Sequence, residues 1–249
     1  MTVSNESGQA SVTDLTRDEE VSEVLRRISP TAFEAASDFW RVPISGEHLS
    51  PRMRELLLLA MHATSTTVNV EATERQILRA RAAGATDHEI VDVLITLVGA
   101  ANHALYFSVP VLEEELAAAG VAAPDDDAEL GPAYEAVKQD FIAARGFWNP
   151  DRDQMARLMP EYFAVLNGVS TESWKNGPLS AKEREFVCIA IDCVVTHTYE
   201  PGLRLHIRNA LGHGARREEI LQIFQLAATL GLEGYVLAGR VLHEADRRS

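Results

Sequence analysis

Cysteine is nearly absent: the 249 residues hold two, Cys188 and Cys193, both inside one apolar run, FVCIAIDCVV. Their spacing fits neither a zinc-ligand pair nor a CxxC redox motif, so no disulfide framework or cysteine metal site is indicated. They read as reduced thiols of an intracellular helix, at least one of them buried. Basic residues are also scarce, with 23 Lys and Arg against 37 Asp and Glu, for a formal net charge of -14. That balance argues against nucleic acid and anionic membrane surfaces as partners. It leaves room for a small anion, because one buried arginine can outweigh a distant acidic surface. The N-terminal stretch MTVSNESGQASVTDLTRDEE has no basic n-region and no apolar h-region, and the apolar stretches are interrupted before membrane-spanning length. The expectation is a cytoplasmic protein. A Gly-rich phosphate loop and a dinucleotide fingerprint are both missing. The histidines lack ligand spacing along the chain: His206 and His213 lie about 10 Å apart on a helix, and His62, His103 and His197 have no partner at i+3 or i+4. No cofactor and no metal are expected.

What is present is helical periodicity, written twice. Shifting the chain by 130 residues aligns 49–90 with 179–220 without a gap, and 12 of the 42 positions are identical, which points to duplication. Leu49/Leu179, Arg54/Arg184, Glu55/Glu185, Gly84/Gly214 and Ile90/Ile220 are among them, and Pro30/Pro160 and Phe33/Phe163 keep the offset upstream. In each copy a Leu-Ser pair starts an apolar helix (50–64, 180–196). A second helix (70–83, 201–213) stops at a glycine suited to a left-handed C′ position. A third, long helix (87–118, 217–246) opens with acidic residues near its positive end. Pro110 should end or kink the first of these long helices. The fold expected is all-α, two helical modules in tandem. Residues 1–17 are expected to be a disordered tail, 18–119 the first unit, 120–131 an acidic Ala/Gly/Pro linker and 132–249 the second unit.

The order Leu203, His206, Ala210, Leu211, Gly214, Glu219, Ile220 resembles the carboxymuconolactone decarboxylase family, which shares its fold with the AhpD-type alkylhydroperoxidases. The first unit matches through Arg54, Glu55, Ala80, Gly84, Glu89 and Ile90, with Gln76 where the second has His206. Peroxidase relatives carry a CxxC pair ending four residues before that histidine. Here Tyr199 and Gly202 stand in one copy and Asn69 and Ala72 in the other, so the dithiol mechanism lacks its thiolate. The resemblance then implies a lyase-type enzyme: cofactor-independent decarboxylation or isomerisation of a small carboxylated or lactone-like substrate. It also implies a homo-oligomer, a trimer of two-unit chains or else a dimer. Candidate catalytic residues are His206, as acid or base, and Glu185; Arg204, Arg208 and Glu233 are candidates for substrate binding. Set against these are plainer readings: a helix-packing His206, surface ion pairs for the arginines, and a Glu185 paired with a nearby arginine inside the fold. At the level of the whole protein the alternative is a non-catalytic binding or scaffold protein with a degenerate site.

Overall fold

The computed structural model describes residues 10–121 and 130–248, and among them every regular element is helical. The tail expected to be disordered is corrected in part. Ser11 accepts a hydrogen bond from the Thr13 amide at 3.2 Å and caps α1 (Val12–Thr16). Val12 and Leu15 of this helix are buried, and that apolar pair anchors the turn. Residues 1–9, and 122–129 of the expected linker, lie outside the described residues. The first unit continues through α2 (Glu19–Ile28), α3 (Pro30–Ser45), α4 (Pro51–Ala63), α5 (Val70–Ala82), α6 (Asp87–Ala100) and α7 (Asn102–Ala118). The second runs through α8 (Gly131–Arg145), α9 (Asp151–Leu158), α10 (Pro160–Asn176), α11 (Ala181–Cys193), α12 (Glu200–Gly212), α13 (Arg217–Ala228), a 3-10 turn (Thr229–Leu232) and α14 (Glu233–Arg248). The bounds of α4 and α11, and of α5 and α12, keep the 130-residue offset to the residue.

The long third helices are each broken, and the first does not end at Pro110. The first breaks at Ala101, and Pro110 sits inside α7 on an exposed face. By length and apolar composition Asp87–Ala118 and Arg217–Arg248 could each cross a membrane, contrary to the interrupted stretches read from sequence. Both also carry a buried polar residue that bonds inside the fold, Asp92 in the first and Gln222 in the second, so each is tied into the helical bundle.

At the centre α4 packs on α11. Leu56 to Met61 are six consecutive residues with no exposed surface, so α4 is apolar on every side and must be surrounded. Residues of both units join one cluster, Leu56 and Leu59 with Ile189 and Val194.

The units are also interlocked. Asp92 on α6 accepts hydrogen bonds from Arg184 Nη1 at 2.6 Å and from the Leu179 amide at 3.1 Å, at the start of α11. Its counterpart, Gln222 on α13, accepts from the Leu49 amide at 2.9 Å and donates to the Pro43 carbonyl at 2.9 Å, beside the start of α4. Each third helix thus ties down the first helix of the other unit. The crossing decides what each site contains.

Candidate functional site

The site is built where α11, α12 and α7 meet. Glu185, in the second turn of α11, has no exposed surface. Its Oε2 lies 2.6 Å from His206 Nδ1, and its Oε1 accepts from Asn209 Nδ2 at 3.1 Å. Because the carboxylate accepts at Nδ1, the other ring nitrogen, Nε2, is left for the cavity, 4.0 Å from Asp192 Oδ2. One turn beyond Glu185, Cys188 brings its Sγ within 4.8 Å of both groups. Burial pulls the His206 imidazole down, but the Cys188 thiol and the Glu185 carboxylate outweigh it and leave the ring pushed up to about 10. His206 therefore holds a proton at neutral pH.

Asp192, one turn further along α11, is almost fully buried, and its Oδ2 has no hydrogen-bond partner. Burial pushes its carboxyl up to about 7, opposed by His206 and reinforced by Glu185. Around it stand two histidines from different elements. His103 comes from α7 of the first unit, and its ring stacks on Tyr199 with centroids 3.9 Å apart. His197 sits in the turn before α12, where Thr198 adopts a left-handed φ of 32°; Val68 repeats this in the first unit at 28°. His103 Nδ1 and His197 Nε2 are 2.7 Å apart. Burial and the neighbouring His197 and His206 drive His103 down to about 3.

His206, Cys188, Asp192, His103 and Tyr199 line a cavity of about 420 Å³, the size of a small-molecule site. Its opposite wall comes from α8 and α9. Arg152 stacks over Phe141 at 4.0 Å and donates to Tyr106 Oη and Asn167 Oδ1, both at 3.2 Å. Arg145 stacks over Trp174 at 4.5 Å, and burial lowers its guanidinium below the ordinary value. Among the described residues neither arginine meets a carboxylate within ion-pair distance, and the Nε of each is buried without a partner. A buried cation in that state is costly unless an anion completes it.

The corresponding place in the first unit is filled differently. Glu55 accepts from Gln76 Nε2 at 3.0 Å and from Arg79 at 2.7 and 2.9 Å, so the glutamate–arginine pairing occurs here and not at Glu185. Leu58 and His62 stand where the second unit has Cys188 and Asp192. Arg75, at the position of Leu205, reaches Glu233 of α14. Arg145 and Arg152 have Leu15 and Ser22 as counterparts at the same offset.

The structure brings His206 and Glu185 together and puts Arg208 on the lining of the cavity. Two other candidates fall elsewhere. Arg204 is largely exposed and pairs with Glu200 one turn away, because its position faces solvent. Glu233 lies in the first unit's site against Arg75 and, at 3.4 Å, His62, because the third helices cross over. The same crossing gathers His103, His197 and Asp192, which chain spacing had left isolated. Arg145, Arg152 and Cys188 were missed as site residues. Extending the offset upstream would have flagged both arginines as charges replacing Leu15 and Ser22.

Gly202 bears on the missing peroxidase cysteines. A Cβ there would sit 2.4 Å from Asp192 Oδ2 and 2.7 Å from Tyr199 Cδ1, so Asp192 occupies the space a cysteine at 202 would need.

Residues 160–239 match the carboxymuconolactone decarboxylase family. Along nearly its whole length the chain is also similar to a crystal structure from Burkholderia xenovorans LB400, provisionally named a gamma-carboxymuconolactone decarboxylase subunit. Identity is 32%, the TM-score is 0.85, and the match covers 94% of this chain and 95% of that one. The chain belongs to the carboxymuconolactone decarboxylase family. No curated protein matches it. The family match spans the second unit's His206, and Gln76 stands at the same position of the first unit.

Proposed function

We propose that this family member is an enzyme catalysing decarboxylation or isomerisation of a small carboxylated or lactone-like molecule by proton transfer. The observation that carries the reading is the pairing, in one cavity, of a proton-bearing His206 with the buried Arg152 and the half-buried Arg145, neither of which has a carboxylate partner. Arg145 and Arg152 hold a substrate carboxylate or the oxygen of a developing enolate. Arg208 screens the rim. When the bond to the departing carboxyl breaks, carbon dioxide leaves and the electron pair moves into the conjugated carbonyl. His206 Nε2 then delivers its proton to the carbon left behind, while Glu185 fixes the ring and its tautomer. The neutral imidazole regains a proton from water. The first unit, with Gln76 in place of the histidine and Arg75 closed on Glu233, acts as scaffold. We further read the protein as cytoplasmic and self-associating, a trimer or else a dimer; the apolar exposed residues Phe107, Val111 and Leu112 on α7 support such contacts.

The test is carbon dioxide release, and deuterium uptake from heavy water, across a panel of unsaturated lactone acids. His206→Gln should lower kcat by at least about a hundredfold. Turnover unchanged in His206→Gln, or carboxylate binding unchanged in Arg145→Leu and Arg152→Leu, would overturn the reading.

A further inference from the structure

We propose that His103, His197 and Asp192 form a binding site for one divalent first-row transition ion at the edge of the cavity. His103 Nδ1, His197 Nε2 and Asp192 Oδ1 make a triangle with edges of 2.7, 3.6 and 3.8 Å. The point equidistant from all three corners lies about 2.0 Å from each, which is the bond length of imidazole nitrogen and carboxylate oxygen to zinc and similar ions. Two imidazoles and one carboxylate set around an ion, with positions left open above and below their plane, is a donor set such ions accept. His103 and Asp192 also line the cavity, so the triangle lies at its edge.

A second observation points the same way. Asp192 is 1% exposed and its Oδ2 has no hydrogen-bond partner. The first unit shows how the fold neutralises the corresponding place: Thr67, His62 and Glu233 occupy the three positions, and the Arg75 guanidinium sits on the carboxylate. Leu205 replaces Arg75 in the second unit and supplies no charge. A metal cation takes the role that arginine has in the first unit. Bound there, it would act as a Lewis acid toward an oxygen of whatever occupies the cavity. The site is independent of which carbon chemistry the cavity performs.

The test uses the full chain, freed of metal with a chelator and titrated separately with Zn(II) and Co(II). One ion should bind per chain, and Co(II) should give visible bands of nitrogen and oxygen ligation. His103→Ala, His197→Ala and Asp192→Asn should each weaken binding at least about tenfold, and the exposed His48→Ala should not. Should the buried Asp192 variant fail to fold, His197→Gln, at a partly exposed turn, decides the matter alone. Binding below one ion per chain, or retained in both histidine variants, would overturn the proposal. None of these readouts requires turnover, so failure of the decarboxylase reading leaves it standing.

Discussion

Replacing Asp92 with alanine tests the crossing of the two units, because a single carboxylate carries the bond from α6 to the start of α11. Two partners are stranded by the change. Arg184, 2% exposed, loses the anion at 2.6 Å, and the Leu179 amide loses its acceptor at 3.1 Å. Removing one member of a buried ion pair costs about 3–5 kcal/mol. The orphaned amide adds about 1–3 kcal/mol, less than additively because both share one acceptor. The expected loss is about 4–6 kcal/mol, a large part of the roughly 5–15 kcal/mol that hold a domain together. At about 2–4 °C per kcal/mol for a chain of this size, Tm should fall by about 10–20 °C. The mirror change, Gln222→Ala, breaks two neutral hydrogen bonds to Leu49 and Pro43 and should cost only about 2–3 kcal/mol. Urea denaturation of the full chain at pH 7, followed by far-UV circular dichroism, gives both numbers. An Asp92→Ala loss below about 1 kcal/mol, or a larger loss from Gln222→Ala, would refute the reasoning.

Burial lowers the His62 imidazole to about 4, so the unfolded chain takes up its proton first as pH falls. Stability from this group is complete above pH 6.5 and drains away toward pH 4, by about 3 kcal/mol. His62→Gln should flatten that part of the pH–stability curve, measured by urea midpoints at pH 7 and 4.5. Arg152→Leu should abolish thermal stabilisation by small carboxylic acids, whereas the exposed Arg204→Ala should leave it intact; equal effects would remove Arg152 from the anion site. Gly202→Ala should destabilise the chain by about 1–3 kcal/mol through its clash with Asp192, read as a Tm shift. Tyr199→Cys with Gly202→Cys should give no peroxide reduction above background in a thiol-coupled assay, since the second cysteine has no room.

Much of the fold was legible in the sequence, because it rests on local grammar. Helical periodicity, the serines before α4 and α11, and the glycines after α5 and α12 act over a few residues, and a gap-free repeat at 130 doubled every signal. His206 and Glu185 were legible for the same reason, being 21 residues apart on consecutive helices. The rest depends on where distant helices cross. Nothing within the second unit announces His103, which arrives from residue 103 of the first, and Glu233 was assigned to the wrong site by the assumption that each unit is self-contained. Pro110 does not end α7, and the break falls at Ala101 instead, where no residue type marks it. Arg204 and Arg208 share a helix face by spacing, yet only Arg208 reaches the cavity.

The crossing of the third helices also bears on how such a protein could arise. A single unit of this kind would lack the other unit's third helix, and its site would be short of one wall. Two separate copies would complete each other by exchanging helices, at a rate and affinity set by their concentration. Joining them in one chain makes the exchange intramolecular, with an effective concentration fixed by the connection. It also frees the two copies to differ. With both walls encoded once, one site can hold His206, Arg145 and Arg152 while the other holds Gln76, Arg75 and Glu233. Cutting the chain between α7 and α8 would test this directly, because His103 would then have to return as a separate molecule.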